Sequence, residues 1–290
     1  MNDINKIVFN VYKNVLEMDY SKNDHMNFDD KIKKIYRYLV SGYVFYVKKN
    51  RSGLKKWNEF NPTNNIYSEK KFVIYTVSTG TYDKIEDPFY IDDTIDYFVF
   101  TDQKIDSTSI WKRIAIPDTL KDMSALEQAR FLKTHPHLYF RDYDYSMFID
   151  GNVRITCDIK PLFYSLIESK KIFAIHRHQN RDCIYTEAKA IYAVGKANKK
   201  TIKKQINYYK DKGFPKHFGL FETNIVIRKH NDKDCINIMN NWWDEMKKWT
   251  KRDQLSFTYS LWKNDYNCND VLSLGNNSRR NPYFIVDSHK

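Results

Sequence analysis

Tyr145-Ser-Met-Phe-Ile-Asp150-Gly-Asn152 is the stretch on which the reading of the fold turns. Its apolar run, Met147 to Ile149, stops at Asp150, and a glycine follows. A buried strand of an open α/β sheet ends this way when its C-terminal edge carries a carboxylate into a ligand crevice. With an oxygen donor two residues on, such a carboxylate can hold a hard cation against a diphosphate, since Mg²⁺ takes one or two carboxylates plus phosphate oxygens. The alternative is a strand followed by an ordinary Asp-Gly turn. The surrounding chain decides between them.

Working outward, Lys71 to Val77 reads as a continuous apolar strand, followed by Ser78-Thr-Gly80-Thr-Tyr82-Asp83. Tyr97 to Asp102 is a second strand ending in a carboxylate, and Trp111 to Ile116 a third. Ser124 and Glu127 form a capping box for a helix running to Thr134. Beyond Asn152 the pattern predicts a helix at Pro161–Ser169, a strand at Lys171–His176 and a helix at Thr201–Lys212 stopped by Gly213 and Pro215. A strand at Thr223–Arg228 and a tryptophan-rich helix at Cys235–Thr250 follow. Strands alternating with helices predict an α/β fold, a mostly parallel mixed sheet flanked by helices. If its strands are parallel neighbours, Thr76 through Asp83, Asp102, and Asp150 with Asn152 converge on one crevice.

Residues 1–65 read differently, as an N-terminal helical appendage to a domain of residues 66–290. Ile4, Ile7, Val8, Val11 and Val15 recur at helical spacing, and every formal charge from Lys31 to Lys56 is positive. That basic run suits contact with an anionic membrane or polymer, or simply a solvated helix face. Asn61-Pro-Thr-Asn-Asn65 is the linker.

Composition narrows the function. The net charge of +12 points to anionic partners. With 42% hydrophobic residues, the chain has ample material for a core. No GxGxxG, Walker pattern or GxSxG occurs, which leaves Rossmann, P-loop and nucleophile-elbow chemistry without an anchor. The four cysteines, far apart, read as reduced thiols of a cytosolic protein rather than disulfides or a zinc site. No signal peptide or spanning segment is evident, so the expectation is a soluble, cytoplasmic protein, peripheral at most to the membrane's inner face.

Other clusters stay open at this level. Asp142-Tyr-Asp144 is a literal Asp-x-Asp, but it precedes its strand and is expected in an exposed loop. His176-Arg177-His178 with Arg181 and Glu187 follows a strand. Histidines two apart face opposite sides of an extended segment, so zinc is not expected, while arginines suit a diphosphate. Glu222 and Asn224 stand near a strand entrance, where they would orient sugar hydroxyls or close a turn. Asp253 would cap the helix after Arg252 or, with Gln254, sit beside an anomeric carbon.

Together these pieces resemble one family. Ile74-Tyr-Thr-x-x-Thr-Gly80-x-Tyr-Asp83, Phe100-Thr-Asp102, Ala129-Arg130-x-x-Lys133 and Ile149-Asp150-Gly-Asn152 are similar in order and type to the TOD/MUCI-type glycosyltransferase domain. So are His176-x-His178-x-x-Arg181-x-Cys-x-Tyr185-x-Glu187-Ala, Gly213-x-Pro215, Gly219-Leu-x-Glu222, Arg228-x-His230 and Arg252-Asp253-Gln254-Leu-Ser-Phe257, so that the resemblance runs over about 71–260. It implies a GT-A-like fold and a retaining, metal-assisted glycosyltransferase that moves a hexosyl or uronosyl group from a UDP-sugar to a glycan or lipid-linked glycan of a surface polysaccharide. In those terms Thr76, Ser78, Gly80, Tyr82, Asp83 and Asp102 would contact the nucleoside, and Arg130, Lys133, Arg177 and Arg181 the diphosphate. Asp150, Asn152 and His289 would hold Mn²⁺ or Mg²⁺. Glu222, Asp253 and Gln254 would carry the catalytic work. The chain departs from Asp-x-Asp at Asn152, a neutral and weaker metal ligand. The rival readings are a basic nucleic-acid-binding protein, which no RNP, KH or helix-turn-helix pattern supports, and an inactive glycan-binding member of the family.

Overall fold

The computed structural model describes residues 29, 32, 33, 36 and 37, and residues 60–290 apart from 81–83, 276, 280 and 288–290. The chain divides into two compact units, 1–55 with 180–217 and 56–179 with 218–290. The division near residue 55 lies close to the linker read from the sequence, but the smaller unit also takes in 180–217.

The larger unit is built on a sheet whose strands are β1 (Phe72–Ser78), β2 (Asp96–Thr101), β3 (Lys112–Ile114), β4 (Tyr145–Ile149), β6 (Phe173–Arg177), β7 (Phe221–Arg228) and β8 (Leu272–Ser273), in the order β3-β2-β1-β4-β7-β6-β8. β1 runs parallel to both β2 and β4, β2 to β3, and β6 to β8, while β7 opposes β4 and β6. The expected mostly parallel mixed sheet is what forms. A second, two-stranded sheet pairs β5 (Val153–Ile155) with β9 (Phe284–Val286).

Every residue of β1 and β4 is buried, because helices cover both faces of the sheet. The side-chain alternation of a strand sorts them into two cores. Val73, Tyr75, Val77 and Phe148 face one, with Leu132, Trp242 and Phe257 from α1 (Ala125–Thr134), α5 (Lys233–Lys248) and α6 (Asp253–Lys263). Phe72, Ile74, Met147 and Ile149 face the other, with Leu162 and Phe163 of α2 (Lys160–Glu168). Trp242 is fully buried and its indole N–H donates to the Asp253 carbonyl at 3.0 Å, which fixes the start of α6. Truncating Trp242 or Phe257 to alanine would cost about 3–5 kcal/mol.

α1 starts as its sequence predicts, with Ser124 and Glu127 closing a reciprocal capping box. Gly219 illustrates a different constraint. Its φ is +123°, and a Cβ there would meet Cys268 Sγ at 2.3 Å, so only glycine fits.

In the smaller unit, α3 (Ile184–Ala193) and α4 (Lys199–Asp211) pack on each other, and Tyr185 Oη donates to the Phe214 carbonyl at 2.6 Å. Arg37 covers Gly195, where a Cβ would stand 2.9 Å from the guanidinium carbon. Apart from Lys33 and Arg37, the basic run of residues 31–56 lies outside the described residues.

Candidate active site

The strand order places a topological switch between β1 and β4, the position where open α/β sheets bind ligands beyond their strand ends. Because β1, β2 and β4 are parallel, Ser78 to Gly80, Asp102 and Asp150 share the C-terminal edge, as the sequence reading required.

At the β1–β2 end, Gly80 takes φ +67° and its N–H donates to both oxygens of Asp102, at 3.0 and 3.1 Å. Gln103 then donates to the Gly80 carbonyl at 2.6 Å and to Ser78 Oγ at 3.3 Å. Asp102 thus binds the two strand ends to each other. Thr76 Oγ1 is buried without a hydrogen-bond partner among the described residues. A cavity of about 500 Å³ opens beside Gln103, lined also by Ile85, Asp87 and Ser109. Tyr82 and Asp83 lie outside the described residues.

The β4 end is organised by cations from α1. Arg130 and Lys133, three residues apart, share a helix face. Lys133 is fully buried and its ammonium lies 2.8 Å from Asp253 Oδ2 and 3.6 Å from Asp150 Oδ1. The same ammonium lies 4.7 Å from the Phe148 ring and 5.6 Å from that of Trp242, two favourable cation–π placements. Arg130 reaches Asp253 Oδ2 at 3.0 Å. Asp253 is the first residue of α6, where the helix dipole also favours an anion. Burial by itself would push the Asp253 carboxyl up, but Arg130, Lys133 and Arg252 together outweigh it and hold it well below the usual carboxylate range. Asp253 is therefore a fixed anion. It is not the N-cap, since Arg252 holds that position. Gln254, partly exposed beside it, donates its backbone N–H to Asp253 Oδ1 at 3.2 Å and makes no side-chain hydrogen bond among the described residues.

Asp150 continues the ladder by donating its N–H to the Asn224 carbonyl at 2.8 Å, and its side chain is about one-third exposed (32%). Next to it, Asn224 donates to Ser278 Oγ at 2.9 Å. Ser278 in turn gives Glu222 Oε2 its N–H at 3.0 Å and its hydroxyl at 2.7 Å. Burial pushes the Glu222 carboxyl up, against the pull of these Ser278 bonds. Ser278 and Gln103 belong to the site but went unread in the sequence. Gln103 had a signal, as the next polar side chain after a strand-end carboxylate. Ser278, fifty-six positions from Glu222, had none.

Asn152 Nδ2 donates to the Asp287 carbonyl at 2.6 Å, which leaves Oδ1 as its ligating atom, and Asp287 returns its N–H to the Asn152 carbonyl at 2.8 Å. Arg154 completes this clamp on Asp287 Oδ2 at 2.7 Å. Among the described residues a divalent cation would find one carboxylate, with an ammonium 3.6 Å away, and the neutral oxygen of Asn152, a donor set that fits such an ion poorly. His289 lies outside the described residues. Arg177, expected on the diphosphate, is buried, with its guanidinium on the Cys268 carbonyl and over the Phe221 ring at 4.5 Å. Arg181, in the smaller unit, forms a buried ion pair with Glu187. The reason is the same for both: each cation has an acceptor close to its own helix or strand. Arg130 and Arg252 stand beside Asp253, and the buried Nε–H of each has no acceptor among the described residues.

An α/β sheet with a carboxylate at its switch point, backed by helix-borne cations, has the build of a glycosyltransferase-like domain. The family is specific: residues 45–289 match the TOD1/MUCI70 glycosyltransferase-like domain, and the chain belongs to that family. The match begins before and ends beyond the motifs quoted above. The chain is 26% identical over 195 residues to the probable hexosyltransferase MUCI70 of Arabidopsis thaliana, an alignment covering 58% of this chain and 32% of that protein. The chain thus spans about a third of the length of this relative. Among solved structures it is similar to the bifunctional glycosyltransferase WbbM (TM-score 0.45, 14% identity, 94% of this chain and 52% of that one). Further likenesses are the galactosyltransferase LgtC with donor and acceptor sugar analogues (0.41, 10%, 69% and 72%) and the mannosyltransferase Ktr4p from S. cerevisiae (0.38, 11%, 87% and 81%).

Proposed function

We propose that this chain transfers a hexosyl or uronosyl group from a nucleoside diphosphate sugar, a UDP-sugar by our reading, to a glycan acceptor of a surface polysaccharide. The observation that carries the reading is the group at the β4 end, where Arg130, Lys133 and Arg252 stand against only two carboxylates, Asp150 and Asp253. Three cations against two anions leave one positive charge for a diphosphate. The Nε–H groups of Arg130 and Arg252 have no acceptor among the described residues, and guanidinium suits phosphate oxygens.

In this mechanism the nucleoside lies along the β1–β2 end, where Ser78, Gly80, Asp102 and Gln103 form a fixed rim, and the diphosphate crosses toward α1 and α6. As the glycosidic bond breaks, negative charge grows on the leaving phosphate. Fixed cations in a low-dielectric site stabilise that charge without reorganising. Asp253 does not accept a proton. It holds Lys133, Arg130 and the first turn of α6 in place, so that the free amide of Gln254 faces the reacting sugar. Asp150 orients donor or acceptor hydroxyls. Glu222, with its raised carboxyl pKa, is the residue suited to share a proton with an acceptor hydroxyl. If configuration is retained, the departing phosphate itself can take that proton. A divalent ion would add neutralising charge, but the donor set fits it poorly and no step depends on one.

The test is a thermal-shift screen of nucleotide sugars on the purified chain, followed by chromatographic detection of released nucleotide. A UDP-sugar should raise the melting temperature and be hydrolysed slowly without acceptor, and Asp150→Ala should stop the hydrolysis. If no nucleotide sugar binds, or Asp150→Ala turns over like the parent, the reading fails.

A further inference from the structure

The smaller unit carries a charge pattern that sugar transfer does not use. Between residues 188 and 217 stand nine lysines and one acid, Asp211. The other two acids of its 180–217 segment are engaged, Glu187 by Arg181 and Asp182 by His217 at 2.9 Å. In α4 the buried residues Ile202, Gln205 and Tyr209 mark the inward face. Lys199, Lys200, Lys203, Lys204 and Lys210 are all exposed on the opposite side. None of the five has a carboxylate partner among the described residues, and only Lys199 has a ring contact, over Tyr192 at 5.4 Å.

The arrangement works against the helix that bears it. Lys199–Lys203 and Lys200–Lys204 are like-charge pairs one turn apart, each unfavourable for an isolated helix. Lys199 and Lys200 also occupy the first turn, where the macrodipole disfavours cations and where no acid balances them. A surface needed only for solubility would mix signs.

We propose that the lysine face of α4 docks on the anionic surface of a lipid membrane. Five ammonium groups spread along a helix about 20 Å long do not converge on any one point. They match an extended sheet of negative charge rather than a single phosphate or sugar acid. Lysine is a compact point charge without the planar fork that reads a particular anion, which suits a fluid headgroup layer. A nucleic acid strand would call for open stacking rings. The rings here are occupied, Tyr192 under Lys199 and Tyr208 under Lys212 at 5.7 Å. Near an anionic leaflet each lysine multiplies partitioning roughly fivefold.

The experiment is co-sedimentation of the full chain with phosphatidylcholine vesicles and with vesicles that also carry phosphatidylglycerol. Binding is expected only to the anionic vesicles and should weaken steeply as salt rises. The variant K199Q/K203Q/K204Q/K210Q, with circular dichroism confirming an unchanged fold, should bind roughly six-hundredfold more weakly. Three results would overturn the proposal: no binding to anionic vesicles, a variant that binds as tightly as the parent, or a soluble acidic polysaccharide that displaces the vesicles from the protein.

Discussion

The two edges of the central sheet carry similar letters and use them differently. At the edge where β4 begins, Asp142-Tyr143-Asp144 looks more like a metal motif than anything at the other end. Yet Asp144 receives the Lys71 N–H at 2.9 Å and a half-buried lysine, Lys70, at 3.4 Å. Tyr143 donates to Asp96 at 2.7 Å, and Asn231 holds the Arg141 and Tyr143 carbonyls at 3.0 Å. A cavity of about 550 Å³ lies there, lined by groups that already serve one another. At the edge where β4 ends, a lone Asp150 meets a buried ammonium brought from α1, which also holds an aspartate brought from α6. Satisfied carboxylates close local structure. Chemistry is suggested where charges from distant parts of the chain are forced together.

That contrast can be broken most decisively at Asp150. Asp150→Ala should lower turnover at least about a hundredfold, the scale of losing one preorganised polar group, while the melting temperature barely moves because the side chain is partly exposed. Lys133→Met should also abolish activity, and should cost about 3–5 kcal/mol of stability, since a buried Asp253 loses its closest cation. Urea unfolding measures this; a stable Lys133→Met protein would show that the hub is ornamental. A third measurement sets both edges against pH. Burial pushes His135, His176 and His230 down to about 4, from about 6.5 in an unfolded chain. Below pH 6.5 the unfolded state takes up protons first, so stability should fall continuously from there to pH 4, by about 1.4 kcal/mol per histidine per unit of difference. Equal urea midpoints at pH 7 and 4.5 would contradict it. The smallest effects are expected from Asp144→Ala, which should cost less than about 1 kcal/mol and leave turnover intact, and from EDTA, which should leave turnover unchanged. Loss of activity in either case would return the metal site to consideration, at one edge or the other.

Much of this edge contrast was legible in advance. β1, β2 and β4 are continuous apolar runs and α1 has a reciprocal cap, so their signals are local, and the three strand-end clusters could be placed together from them. The rest depended on partners far along the chain. α3 begins at Ile184 behind Cys183, which makes no side-chain cap, so nothing announced that helix. β5, β8 and β9 are two or three residues long and exist only through pairing. Nothing local signals that the Asn152 amide is tied to Asp287, 135 positions away. A sequence does not say which lysine will be buried, so the contacts of Lys133 with Asp253 and Asp150 were not legible.

The clamp between Asn152 and Asp287 has a consequence for how the site comes into being. The turn after Asp150 is closed by a strand from the far end of the chain, through the β5–β9 pairing and the Arg154–Asp287 contact. On this geometry the turn is expected to close only when residues 284–287 are in place. A partly made chain can lay down β1, β2 and β4 in order, but it is expected to carry an open site. Ligand affinity should then arrive late, once residues 284–287 have paired with that turn.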